Sequence, residues 1–442
     1  MTAQDPRREA RLGAGPFAGV VPTLVIAATF TVLGGLSAAT GLLPGGRWPV
    51  VHLFTLGLMT NLVLVFSRHF ARAITRSGNV ESPWLLPALN VAVVGVLAGV
   101  PLGWSWLTSA GAGGMTAVVL VSARQLRRMR RSAPQARFAW LVRTYERAHG
   151  AFLLGALLGL LLGIGLLRGT FHGAVRLAHL HANIAGWVGL TLLGTIVFLG
   201  PAMARTRIPP GSEDRADAAT RRAAISLGVA LVALLASVLP QPAGGTMRLV
   251  AAASLAVYAA SVAIIARLVV RLRTGSHRSP SLPLLVAAMA WFTVVAAADV
   301  VVVAVGAWRW MDVLGVAFGV GVAAQTTIAV VLYLLPSLRG RSFAARAALV
   351  ARTTRGLRWR VIVVNAATAV IAAGAAVGGV AGAVCWRAGW AATLAVIVHT
   401  LALVVLRVRV ARDPIEMSVG YLSRATSLPL IQRDAGEGST DE

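Results

Sequence analysis

Long apolar runs, separated by short segments that carry arginine, dominate this chain. A helix needs about 20 apolar residues to cross the hydrocarbon core of a bilayer. Twelve stretches reach that length: residues 17–43, 49–68, 84–103, 104–123, 146–167, 178–203, 222–240, 248–270, 282–306, 311–336, 360–384 and 388–408. Ala, Val, Leu and Gly fill them, and small residues let helices approach closely in lipid. The first run follows Arg7, Arg8 and Arg11. It is longer than the apolar segment of a signal peptide and has no small-residue cleavage site in a polar setting after it, so it reads as a retained helix.

Composition agrees with that pattern. Of 442 residues, 57% are hydrophobic and 13% charged, against about 25% charged in a soluble domain, and the mean hydropathy is +0.76. All 41 basic residues are Arg, against 15 acidic ones. In a soluble chain such a balance would suggest nucleic acid. Here the Arg residues lie between apolar runs, so they report topology, and no nucleic-acid partner is expected. Basic loops stay in the cytoplasm. With the N-terminus inside, the outer segments hold only Arg47, Arg168, Arg176, Arg248, Arg309 and Arg387, and every other Arg is inside. The expectation is twelve spans with both termini cytoplasmic, a transmembrane domain over 1–412 and a disordered cytoplasmic tail over 413–442. One cysteine, Cys385, excludes an internal disulfide framework.

The second, sixth and tenth spans resemble one another. The second reads His52-Leu-Phe-Thr-Leu-Gly57, the sixth His181-Ala-Asn-Ile-Ala-Gly186 and the tenth Val316-Ala-Phe-Gly-Val-Gly321. Gly186 precedes Pro201 by the same interval that separates Gly321 from Pro336. Four helices thus repeat three times, a 4+4+4 arrangement, whereas many transporters are built as two related halves.

An ionisable side chain within a span is a functional hypothesis by default. Four of the eight His fall at one depth, near the outer face: His52 in the second span, His179 and His181 at the start of the sixth, and His172 just before it. Imidazole is a ligand for iron, copper and zinc. Residues two apart on a helix point about 200° away from each other, so His179 and His181 cannot share one metal within a regular helix. His52 and His181 on two flanking helices suit the axial positions of a haem, with Gly57 and Gly186 leaving room for the macrocycle. The competing reading for these His is interfacial hydration. His69 and His277 lie among cytoplasmic Arg, and His149 reads as a helix-end contact on the inner side. His399, mid-span, is either a third ligand or a packed ring. Asp299 and Gln325 are the other polar groups placed to line an ion path.

Taken together, the three four-helix units, the outer His of the second span and the run His179-Leu-His181-Ala-Asn-Ile-Ala-Gly186-Trp187-Val-Gly189-Leu-Thr191 resemble subunit I of the haem–copper oxidase superfamily. The nearer likeness is to actinobacterial copper-oxidase-like membrane proteins, some fused to a copper nitrite reductase. Ala324-Gln325 followed by Tyr333-Leu-Leu-Pro336 adds to it. The resemblance implies a haem, with copper as a second candidate, His52 as the helix-2 ligand, and a bacterial plasma membrane. It also implies electron transfer or nitrogen-oxide and copper handling, with membrane lipid and an outer-face redox or copper protein as partners. The chain departs from the oxidases in three places. Leu314 and Val316 stand where they carry His-x-His, residues 222–240 hold no His pair, and no Tyr follows His179 or His181 by four residues. An oxygen-reducing binuclear centre is therefore not expected. The alternative is a cofactor-free transporter that uses Asp299, Gln325 and His399.

Overall fold

A computed structural model describes residues 20–43, 46–77, 82–271, 278–339 and 343–410. Arg7, Arg8, Arg11, His277 and the segment 413–442 lie outside the described residues. Within them the chain is helical and contains no strand. In a bilayer each backbone N–H and C=O must be satisfied within the protein, and helices do this segment by segment. Twelve helices among the described residues are long and apolar enough to cross a membrane. They are α1 Pro22–Thr40, α2 Arg47–Thr75, α3 Leu85–Leu102, α4 Ser105–Ser132, α5 Ala139–Gly163 and α6 Gly169–Ala204, followed by α7 Ser212–Ala236, α8 Ala243–Arg271, α9 Leu282–Val305, α10 Trp308–Ser337, α11 Leu357–Val377 and α12 Gly379–Val404. A short helix, Phe343–Thr353, lies between α10 and α11. The chain is a multi-pass membrane protein.

Boundaries differ from expectation mainly between α11 and α12. Arg387 suggested a break near residues 384–388, but the turn is at Gly378 and Gly379, whose φ angles of +69° and +60° belong to the left-handed region open to glycine. A lone Arg just over two turns into a helix is a weaker punctuator than a glycine pair.

Consecutive helices pack as neighbours, and α12 packs against α1, which closes the order into a ring. Three helices lie inside it. Helix α2 contacts α4 and α5 as well as its sequence neighbours, α6 contacts α8 and α9 as well as α5 and α7, and α10 packs between α9 and α11. The same three helices each contain a π-helical stretch, at Leu53–Met59, Ala182–Gly189 and Ala317–Ala324. The residue before each stretch is His52, His181 or Val316. Such i→i+5 segments are rare and gather at functional sites.

Three glycines share this register. A Cβ at Gly57 would collide with Phe30 of α1, one at Gly186 with Ala151 of α5, and one at Gly321 with Trp291 of α9. In each case a π-bearing helix closes on the helix that precedes it, and glycine permits the approach. Polar bonds then fix two of the three to the helix that follows. Asn61 of α2 and Asn90 of α3 exchange amide hydrogen bonds of 3.0 and 2.9 Å. Gln325 of α10 and Asn365 of α11 do the same at 3.2 and 3.3 Å, with the Trp291 indole donating to Asn365 at 2.7 Å. The corresponding residue in α6, Leu190, is fully buried and apolar.

The Arg-rich end of the bundle is held by ion pairs. Arg130 reaches Glu146 with two bonds, 2.7 and 3.1 Å, and Arg137 pairs with Glu213. At the opposite end Asp312 of α10 lies 3.3 Å from Arg47 of α2 and 3.7 Å from Arg176 of α6. One carboxylate thereby links the three inner helices above the His-bearing segment.

Candidate functional site

Four His of the spans share one feature, a ring Nδ1 bonded to a backbone carbonyl. For His52 the acceptor is Trp48, for His179 Gly155, for His181 Leu177 and for His149 Tyr145, each at 2.8 Å. A carbonyl only accepts, so Nδ1 carries the proton and donates. The remaining nitrogen, Nε2, decides what each ring can do.

For His149 that nitrogen accepts from the Ser122 hydroxyl at 3.0 Å, and the ring stands edge-on to Trp187. His149 is fully buried within α5 rather than at its end, which corrects the expected helix-end contact. Leu141 and Tyr145 carry the apolar, buried face of α5 beyond the expected inner boundary at residue 146.

For His181 the free nitrogen faces both carboxylate oxygens of Asp299, at 3.1 and 3.2 Å. His181 is 2% exposed. The expected pairing of His52 with His181 across a single haem is therefore not the arrangement found, because His181 is turned toward α9.

For His52 and His179 the Nε2 atoms have no hydrogen-bond partner among the described residues. The two rings sit on the inner helices α2 and α6. His52 is stacked on Trp48, with ring centroids 4.1 Å apart and planes inclined by 20°. His179 is seated against α5. A Cβ on Gly159 would come within 2.6 Å of its Cε1, and one on Gly155 would collide with Asn183. Asn183, one turn along α6, donates to the His179 carbonyl at 2.8 Å and lies 3.3 Å from its Nδ1. His179 and His181 point to different helices, as the 200° helical offset requires.

The donor chemistry of His52 and His179 suits a haem iron, which takes neutral imidazole Nε2 when Nδ1 is held by a carbonyl. Gly57 and Gly186 do not make space for it: their open faces are filled by Phe30 and Ala151. The glycine that accommodates a ring is Gly159, with Gly155 one turn before it making room for Asn183. Sequence reasoning missed them because they sit on α5, which carries none of the four outer His. Their i, i+4 spacing, which places both on one face, was the available signal.

The remaining candidates separate. His172 is exposed in the first turn of α6. His399 packs edge-on against Trp359 at 5.1 Å. Gln325 is held by Asn365 and the Gly321 carbonyl, and Asp299 by His181. The three residues of the transporter alternative thus have different partners on different helices and do not line one path. No group of three or more His, Cys, Asp or Glu gathers to hold a metal among the described residues. The sequence matches no protein-family model and no curated protein.

Proposed function

We propose that this protein is a haem-binding, twelve-span membrane protein of the bacterial plasma membrane, related in plan to oxidase subunit I, in which His52 and His179 would hold the haem iron. The observation that carries the reading is the shared state of the two rings: on the inner helices α2 and α6, each gives its Nδ1 proton to a carbonyl and keeps Nε2 without a partner among the described residues. A carbonyl bonded to Nδ1 fixes the tautomer and the ring orientation and raises the basicity of Nε2. Trp48 braces one ring and the Gly155–Gly159 face of α5 the other, so both are set before a ligand arrives. Haem, when bound, supplies one-electron redox chemistry, and the role proposed is electron transfer.

A 4+4+4 plan is supported by the π stretches and close-packing glycines of α2, α6 and α10. The scarcity of Arg at the Arg47 end supports placing that end outside and both termini in the cytoplasm. The site then lies near the outer face, open to a redox partner or copper protein there.

The test is a dithionite-reduced minus oxidised visible spectrum of the protein purified in mild detergent, with iron assayed alongside. Stoichiometric iron with a sharp α band is expected. A featureless spectrum after expression with ample haem would refute the proposal.

A further inference from the structure

Few Arg residues lie at the Arg47 end of the bundle, but almost nothing opposes them. Among the described residues Glu146, Glu213, Asp214 and Asp217 sit at the Arg-rich end and Asp299 within α9, which leaves Asp312 as the surface carboxylate of the Arg47 end. Asp312 lies 3.3 Å from Arg47 and 3.7 Å from Arg176, and so gathers the ends of α2, α6 and α10. Arg309, one turn before Asp312, is exposed and lies 5.7 Å from the centre of the Trp310 ring. Three guanidinium groups thus meet one carboxylate, and positive charge is in excess. Arg168 and His172, both exposed, precede Arg176 by eight and four residues and extend the patch along α6. Trp308 and Trp310, 38% and 37% exposed, add apolar surface to it.

Arg and Trp at the end of a span ordinarily face lipid headgroups. Here α2, α6 and α10 lie inside the ring made by the other helices, so their ends open onto water. Arg248 of α8 and Arg387 of α12, by contrast, stand on the ring itself. Arg and Trp exposed away from lipid are the residue types enriched in protein interfaces and their hot spots. We propose that this patch is the docking face for an acidic soluble electron-transfer protein. The planar guanidinium groups of Arg176 and Arg309 offer paired N–H donors to the partner's carboxylates, and the indoles offer apolar contact. The patch also steers an acidic partner to this end, an effect that salt weakens. Trp48, next to Arg47, is stacked on His52, and Arg176 stands one turn before His179. A partner seated here stands over the helix ends that carry both rings. Its redox role rests on the haem reading above, whereas the docking face rests on charge and position.

The test uses right-side-out membrane vesicles that carry the full-length protein with its Arg47 end outward. The probes are a labelled acidic [2Fe–2S] ferredoxin and, as its opposite, a labelled basic cytochrome c. Co-sedimentation beyond that of vesicles without the protein is expected for the ferredoxin alone, and it should fade as salt rises. Arg176→Gln combined with Arg309→Gln should weaken it about fivefold or more. Arg309→Gln alone, which leaves both Asp312 contacts in place, should weaken it in the same direction. Arg387→Gln should leave it unchanged. No retention of ferredoxin, equal retention of both probes, or retention indifferent to the Arg176 and Arg309 changes would overturn the proposal. So would phosphatidylglycerol that copurifies with wild type and is lost from Arg309→Gln, since the patch would then be a lipid site. None of these readings requires a haem. Protein that binds ferredoxin but shows no α band would refute the haem reading and leave the docking face standing.

Discussion

His52 of α2 and His179 of α6 both donate from the ring Nδ1 to backbone carbonyls, Trp48 for one and Gly155 for the other. The second contact crosses from α6 to α5, so the orientation of His179 depends on how closely those helices pack. His181, two residues on, turns to α9 instead. The His-x-His run of α6 therefore serves two places on opposite sides of one helix.

The seat of His179 is its most easily disturbed element. Gly159→Ala places a methyl group against the imidazole, and overpacking of this kind costs about 1–3 kcal/mol. The expected outcome is a lower melting temperature in detergent and a weakened haem signal. Gly150→Ala, on the same helix where a Cβ meets nothing within 4 Å, should leave both unchanged. Thermal denaturation of the two variants beside wild type checks this.

Close packing of α2 on α1 rests on Gly57 against Phe30. Gly57→Ala should destabilise by about 1–3 kcal/mol, and Phe30→Ala introduced with it should restore part of the loss. Residues in contact couple by about 0.5–3 kcal/mol, so denaturation of the two single variants and the double variant is expected to show a non-additive term.

The Asn61–Asn90 pair makes a similar prediction for α2 and α3. Asn61→Leu leaves the Asn90 side chain only its own-helix bond to Leu86, and an unsatisfied amide in an apolar setting costs about 1–3 kcal/mol. The Asn61→Leu, Asn90→Leu double variant should be less destabilised than the sum of the two single ones, by about 0.6–1.7 kcal/mol. A double-mutant cycle gives that number directly.

Topology can be read with a membrane-impermeant thiol reagent in a Cys385→Ala background. Arg309→Cys, exposed in the first turn of α10, should label in intact cells. Arg128→Cys, exposed at the far end of α4, should label only after permeabilisation.

Apolar run length and Arg placement made the twelve helices legible, because a bilayer leaves few other ways to satisfy the backbone. The positions where α2, α6 and α10 each close on the preceding helix were marked in the sequence by Gly57, Gly186 and Gly321. What those glycines do was not: they receive Phe30, Ala151 and Trp291, and no pattern within one helix shows which neighbour fills a gap. The His were legible as a cluster at one depth, and helical geometry separated His179 from His181. Which neighbouring helix each of them meets was not legible, since it depends on the rotation of α6 against α5 and α9. Asp299 was singled out, but its tie to His181 joins residues far apart in sequence. The break between α11 and α12 was masked by Arg387, which drew attention away from Gly378 and Gly379.

The central claim is that His52 and His179 are the residues that would hold a haem, and reduced-minus-oxidised spectra of His52→Ala, His179→Ala and His181→Ala, normalised to protein, test it most directly. The account predicts that His52→Ala and His179→Ala each abolish the α band, while His181→Ala keeps it. Loss of the band in His181→Ala with retention in His179→Ala would contradict the account and return the site to α9.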